Sequence, residues 1–364
     1  MTVKDIAEIL EELAPLSYAE DFDNVGILVG SPDQTVDGIL VTLDTLENVV
    51  DEAIEKKCNL IISFHPIIFK GLKKLTGSNY VERVVMKAIA NHITIYSTHT
   101  ALDNSYQGVN AKICEVLGIK NGKILIPKKK TIKKLTTYVP IREAENLRKK
   151  LFEVGAGAVG NYSNCSFSVD GIGTFEANEN ANPVVGEIGK TRYEKETQLQ
   201  ITYPSDNENI VLKSLFEYHP YDEVAYEIIT LENINQHLGM GMVGELEKGM
   251  TEHDFLKYLK TKMNTKIVRH SALLKKSIKT VAVLGGSGAF GIKAAINAKA
   301  DIYITADLKY HEFYQAENKI VIADIGHFET EQFTKNLLVD FLTKKIPNFA
   351  ITLSESNTNP IKYF

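Results

Sequence analysis

The apolar positions Val3, Ile6, Ile9, Leu10 and Leu13 repeat at the spacing of a helix with one buried face, and Pro15 closes it, so a helix is expected over 3–13. The run 38–43 reads as a buried strand, a helix follows over 49–57, and a second apolar run over 59–64 ends at His65-Pro66. This β-α-β rhythm predicts neighbouring parallel strands. It repeats with a helix over 80–91 and a strand over 93–97 that stops at Thr98-His99-Thr100-Ala101-Leu102-Asp103. Polar residues thus gather at strand C-termini, the edge of an open α/β sheet where loops converge on ligands.

Near residue 128 the pattern changes. Ile124-Leu125-Ile126-Pro127 leads into a lysine run, then an alternating strand over 135–140, a helix over 143–154, a turn at Gly155-Ala156-Gly157, a helix over 210–218 and a strand over 223–231. After Gly239-Met240-Gly241 the β-α alternation returns, with strands expected over 280–284, 302–306, 319–323 and 349–353. The expected architecture is a main α/β domain made of 1–128 and 237–364, with its outer segments as halves of one sheet, interrupted by an α+β insert over 129–236.

With 364 residues the chain exceeds the size at which one core usually keeps growing, and 44% apolar with 24% charged residues is ordinary for a globular protein. A net charge of −5 with dispersed Lys and Arg does not imply nucleic acid, and Lys128-Lys129-Lys130 with Lys133 and Lys134 reads as a solvated linker. Cys58, Cys114 and Cys165 are an odd number without C-x-x-C spacing, which speaks against a disulfide framework or a thiolate zinc site and for a reducing compartment. No apolar stretch approaches the roughly 18 residues of a membrane span, and the expected location is the cytoplasm.

Three histidines have an acid four residues later: His99 with Asp103, His219 with Glu223, and His327 with Glu331. Chance alone supplies about one such pair, so position must decide. His327 follows the 319–323 strand and shares a helix face with Glu331, which places an imidazole and a carboxylate together at a strand end; an exposed capping acid beside a core histidine is the alternative. His65, aimed out of the sheet edge by Pro66, and His99 end two further strands, whereas the His219 match falls in the insert and reads as coincidence. Imidazole and carboxylate without thiolate suit zinc, iron, manganese, cobalt or nickel. Asp103 or Glu331 could bridge two ions about 3.5 to 4 Å apart that activate a shared water. Gly285-Gly286-Ser287-Gly288 could hold an anion on its amides or simply make a tight strand-to-helix turn. His311, just past the 302–306 strand, is the candidate for proton transfer.

Taken together, Asp21-Phe22-Asp23-Asn24-Val25-Gly26, His65-Pro66, His99-Thr100-Ala101-Leu102-Asp103 and Gly326-His327 with Glu331 resemble the NGG-interacting-factor-three-like family, also called GTP cyclohydrolase 1 type 2 homologs. The insert resembles that family's PII-like domain at Gly155-Ala156-Gly157, Gly160-Asn161-Tyr162, Cys165-Ser166-Phe167 and Tyr221-Asp222-Glu223-Val224-Ala225-Tyr226. The resemblance implies a two-metal site with His65, Asp103, His327 and Glu331 as ligands and His99 close by, in a homohexameric ring. The first reading is then a hydrolase acting on a nucleotide or related small metabolite, with Glu331 and His311 as the catalytic candidates; the alternative is a metal-handling protein without turnover. One departure matters: Phe64 stands where the family has the first of two adjacent histidines, and phenylalanine cannot ligate a metal. Either one metal position is weakened, or His99 or water completes it, or hydrolysis has been lost. Phe22 stands where the family has tryptophan.

Overall fold

The computed structural model describes residues 1–160, 162–180 and 186–364; Asn161 of the insert motif lies outside the described residues. The chain forms two compact units, Met1–Pro127 with Gln236–Phe364, and Lys128–Asn235.

The first unit contains two sheets where the sequence suggested one. One sheet has the order Gly26–Val29, Thr94–Ser97, Leu60–Ser63, Ile39–Thr42, Ile351–Leu353, and the other Arg269–His270, Val321–Asp324, Ile302–Ala306, Ser277–Ser287, Gly239–Thr251, Ile119–Pro127. Each end of the chain lends one strand to the other end's sheet: Ile351–Leu353 lies parallel to Ile39–Thr42, and Ile119–Pro127 lies antiparallel to Gly239–Thr251. The strands Ile39–Thr42, Leu60–Ser63, Thr94–Ser97, Ile302–Ala306 and Val321–Asp324 are buried at every position, so each sheet needs apolar cover on both faces.

Two stacked sheets meet that need by side-chain alternation. Ile39, Val41, Leu60, Ile62 and Tyr96 of the first sheet join Val281, Val283, Ile302, Ile304, Val321 and Ala323 of the second in one shared core. The intervening Leu40, Ile61 and Ile95 pack instead with Val49, Ala53, Val84 and Ala88 of the flanking helices Glu47–Glu55 and Tyr80–Ala90. On the far side of the second sheet, Ala282, Leu284, Tyr303 and Ile322 pack with Ile292 and Ala295. One face of each sheet is thus covered by the other sheet and the opposite face by helices or their connections.

The second unit is a four-stranded antiparallel sheet, ordered Ser166–Glu176, Thr191–Pro204, Ile132–Pro140, Tyr226–Leu231. Leu135, Val139, Leu199, Ile201 and Tyr203 pack under Leu147, Leu151, Val211 and Leu215 of the helices Ala144–Glu153 and Glu208–Tyr218. Among the described residues no helix is long and apolar enough to cross a membrane, and the three cysteines are unpaired.

Candidate metal centre

His65 comes two residues after the strand Leu60–Ser63, where its N–H donates to the Leu43 carbonyl (2.9 Å) and the Ser63 hydroxyl caps its carbonyl (2.8 Å). His327 opens the helix His327–Glu331 directly after Gly326, which sits at φ +98°. A Cβ there would come within 2.2 Å of Glu329 Oε2, so only glycine turns the chain from strand to helix at this point. One helical turn later stands Glu331, almost fully buried.

These three side chains, from opposite ends of the sequence, converge. Glu331 Oε2 lies 3.1 Å from His65 Nε2 and 3.1 Å from His327 Nε2. The ligand atoms of the three residues all fall within 4.8 Å of one another, and they form the one such group of histidine, cysteine and acid found among the described residues. The outer nitrogen of each imidazole is committed: His65 Nδ1 pairs with Asp44 Oδ1 at 2.8 Å and His327 Nδ1 with Asp307 Oδ2 at 2.6 Å. A carboxylate behind Nδ1 holds the proton there and turns the Nε2 lone pair inward, which is how metal-binding histidines are usually oriented.

The electrostatics point the same way. Burial disfavours the charged form of His65, but Asp44 and Glu331 outweigh it and raise its pKa; for His327, burial is outweighed by Glu331 and Asp307. Burial likewise opposes ionisation of Glu331, yet the two imidazoles hold its carboxyl below the ordinary range. The cluster is built to surround positive charge. Asp103 Oδ1 is buried without a hydrogen-bond partner, and the two Nε2 atoms face Glu331 Oε2 at 3.1 Å each. An unpartnered carboxylate oxygen beside two imidazole nitrogens and a buried carboxylate fits a divalent cation.

Asp103 and His99 line the same cavity of about 220 Å³ as Glu331 and His327, beside Phe22, Asn110, Met240, Leu284 and Phe290. They sit one turn apart on the helix His99–Asn104. His99 is oriented like the other two histidines, its Nδ1 2.7 Å from Asp23 Oδ1. Burial raises the Asp23 pKa, but hydrogen bonds from His99 and Thr100 overcome it and hold the carboxyl at about 2. Burial, reinforced by the Glu331 charge, raises the Asp103 pKa well above that of a free aspartate. Phe64 is wholly buried in the shared core, its ring centroid 4.9 Å from His65 and 5.7 Å from His99.

One expectation needs correction, and one alternative left open is decided. His311 does not line the cavity: it is exposed and its ring packs on Tyr310 and Tyr314, because the turn after Ile302–Ala306 delivers Asp307 to the cluster instead. The amides of the glycine run are not free for an anion, since Gly285 N–H donates to Asn110 Oδ1 (3.0 Å) and Gly286 N–H to Thr330 Oγ1 (2.9 Å). What Gly286 supplies is space: a Cβ there would sit 2.4 Å from Glu331 Oε1 and 3.4 Å from His327 Nε2. His219, as expected from its place in the insert, bonds the Tyr138 carbonyl. Sequence reasoning passed over Asp44 and Asp307 and read Gly286 only as part of a turn or an anion loop; the signal the two aspartates share is a place within two residues of a strand's C-terminal end.

Fold and site define an α/β protein with a histidine and carboxylate centre at the C-terminal edges of two stacked sheets. Residues 1–360 match Duf34/NIF3 (NGG1p interacting factor 3), and the chain belongs to that family. A Bacillus subtilis relative named "GTP cyclohydrolase 1 type 2 homolog" is 34% identical over 370 residues, covering 99% of this chain and 98% of its own. The crystal structure of a Bacillus cereus protein related to NIF3 superposes with TM-score 0.86 at 34% identity, covering 100% of this chain and 99% of the other. A Staphylococcus aureus structure gives 0.80 at 30% identity, with coverage of 100% and 99%.

Proposed function

We propose that the chain is a divalent-metal-dependent hydrolase of a nucleotide or related small metabolite. The observation that supports this most directly is the convergence of His65 Nε2, His327 Nε2 and Glu331 Oε2 beside a cavity of about 220 Å³. In this reading His65, His327 and Glu331 hold one ion, of zinc, iron, manganese, cobalt or nickel, and His99 with Asp103 offers ligands for a second across the cavity. A divalent ion, when bound, supplies Lewis acidity and lowers the pKa of water towards neutrality. The chain's own part is to orient: Asp44, Asp307 and Asp23 set the three imidazoles, while Phe22, Phe290, Met240 and Leu284 offer apolar walls against which a planar ring can lie.

The names of the relatives support the hydrolase class. The resemblance supports a homohexameric ring and a PII-like insert, and the unpaired cysteines support a cytoplasmic location. The buried Phe64 favours a second reading, a metal-handling protein without turnover, because it takes a ligand position away. Elemental analysis of the purified protein, followed by a panel of nucleotides and phosphate esters, separates the two. Bound metal with turnover supports hydrolysis, bound metal without turnover supports metal handling, and absence of metal from parent and reconstituted protein alike sinks both.

A further inference from the structure

We propose that Thr358, in the segment that follows the strand Ile351–Leu353, is a positioning residue for the metal centre and acts through Asp44 on His65. The inference rests on reading His65 as a ligand. Thr358 Oγ1 donates to Asp44 Oδ2 at 2.7 Å, Asp44 Oδ1 faces His65 Nδ1 at 2.8 Å, and His65 Nε2 stands 3.1 Å from Glu331 Oε2. Each oxygen of the Asp44 carboxylate therefore has its own partner. With Oδ2 held by the hydroxyl, Oδ1 is fixed as the acceptor for His65, and the imidazole keeps one tautomer and one orientation.

Thr358 is 5% exposed whereas the Asp44 side chain keeps 30% of its surface. Without the hydroxyl, water would compete for Oδ2 and the carboxylate could rotate away from the ring. The segment is also anchored on both sides of Thr358. Before it, Glu52 accepts hydrogen bonds from Ser354 Oγ (2.7 Å), Glu355 N–H (2.8 Å) and Ser356 N–H (3.1 Å). After it, Asn359 Nδ2 donates to Glu329 Oε1 at 3.4 Å, on the helix that carries His327 and Glu331. A residue 293 positions after His65 is thereby tied to both halves of the site.

The test compares zinc affinity, by competition with a chromophoric chelator, across the full-length parent, Thr358→Val, Thr358→Ser, Asp44→Ala and the double variant Asp44→Ala/Thr358→Val, with thermal unfolding of each metal-free protein alongside. Partners of metal ligands commonly matter by about 10- to 100-fold. Asp44→Ala is expected to weaken zinc within that range, Thr358→Val by up to about tenfold, and Thr358→Ser to restore the parent value. Adding Thr358→Val to Asp44→Ala should change affinity no further. If Thr358→Val fails to fold, Thr358→Ala carries the same expectation. Undiminished zinc affinity in Thr358→Val while Asp44→Ala weakens, or full additivity of the two, overturns the role of Thr358 and leaves the metal reading intact. A parent that binds no zinc removes the metal reading itself, and this inference with it.

Discussion

The Nε2 atoms of His65 and His327 stand 3.4 Å apart although 262 residues separate the two histidines in the chain. With each Nδ1 proton held by a carboxylate, neutral rings would turn their Nε2 lone pairs towards one another, an arrangement that a cation between them relieves. The arrangement follows from the stacking of the sheets, because the strands Leu60–Ser63 and Val321–Asp324 bury their side chains in one shared core and so end near each other. Carboxylates behind and beside the rings then make the point where they meet attractive to a cation.

Gly286→Ala should cost more metal affinity than stability. The new Cβ, 2.4 Å from Glu331 Oε1, would push the carboxylate out of the cluster, while the φ of +68° adds roughly 1 kcal/mol of backbone strain. Zinc titration is expected to show at least a tenfold loss, of the size seen when ligand geometry is disturbed, with the circular dichroism spectrum retained. Parent-like zinc affinity would show that Glu331 is not a ligand.

Phe64→His tests the family's missing histidine. The ring is 0% exposed in the shared core, so replacing it with imidazole loses apolar burial and buries a polar group, together about 2 to 4 kcal/mol in the metal-free protein. If position 64 can reach the site, zinc should recover part of that loss, and the zinc-induced rise in Tm should exceed the parent's by several degrees, since ligand at about 100 times Kd adds roughly 2.7 kcal/mol. An equal rise in both proteins would mean that position 64 serves only the core.

The three residues of the candidate cluster each carried a local mark in the sequence: a proline after His65, and the four-residue spacing of His327 and Glu331 at a strand end. The strand boundaries over 302–306 were legible too, as that run is largely apolar and β-branched. The pairing of strands was not. Side chains buried on both faces read the same in one sheet or two, and nothing local in Ile351–Leu353 or Ile119–Pro127 says which sheet it joins. His311 attracted notice for its imidazole, whereas the contributing residue, Asp307, is an aspartate among 46 acids and gains meaning only when His327 is placed beside it.

Acid should loosen the segment that carries Thr358. Burial raises the Glu52 pKa, but hydrogen bonds from Glu355, Ser354 and Ser356 and the Lys56 charge outweigh it and hold the carboxyl at about 2, against 4.5 for a free glutamate. Because the folded value is depressed, the stabilisation is complete above pH 4.5 and is lost as pH falls from there towards 2. With the side chain 8% exposed, the contribution is up to about 3 kcal/mol. Denaturant unfolding at pH 7 and pH 3 should show a smaller acid loss in Glu52→Gln than in the parent. Equal losses would place the acid sensitivity elsewhere.

Replacing Lys128–Asn235 with a short Gly-Ser linker should leave a folded unit that still binds metal. The two ends of the excised unit meet, with Asn235 N–H donating to the Lys128 carbonyl at 3.4 Å, and the flanking strands Ile119–Pro127 and Gly239–Thr251 pair directly, Pro127 opposite Gly239. A linker of a few residues therefore closes a gap that the sheet already spans, at little loop-closure cost. The excised unit has its own core, around Leu135, Leu147, Leu199 and Leu215, and the cavity is lined by residues of the first unit among those described. The shortened chain is expected to keep a cooperative unfolding transition and the parent's zinc affinity within about threefold, a change of less than 1 kcal/mol. Loss of zinc binding from a cooperatively folded product would show that the insert contributes to the site, and an insoluble product would show that the core of the first unit depends on it.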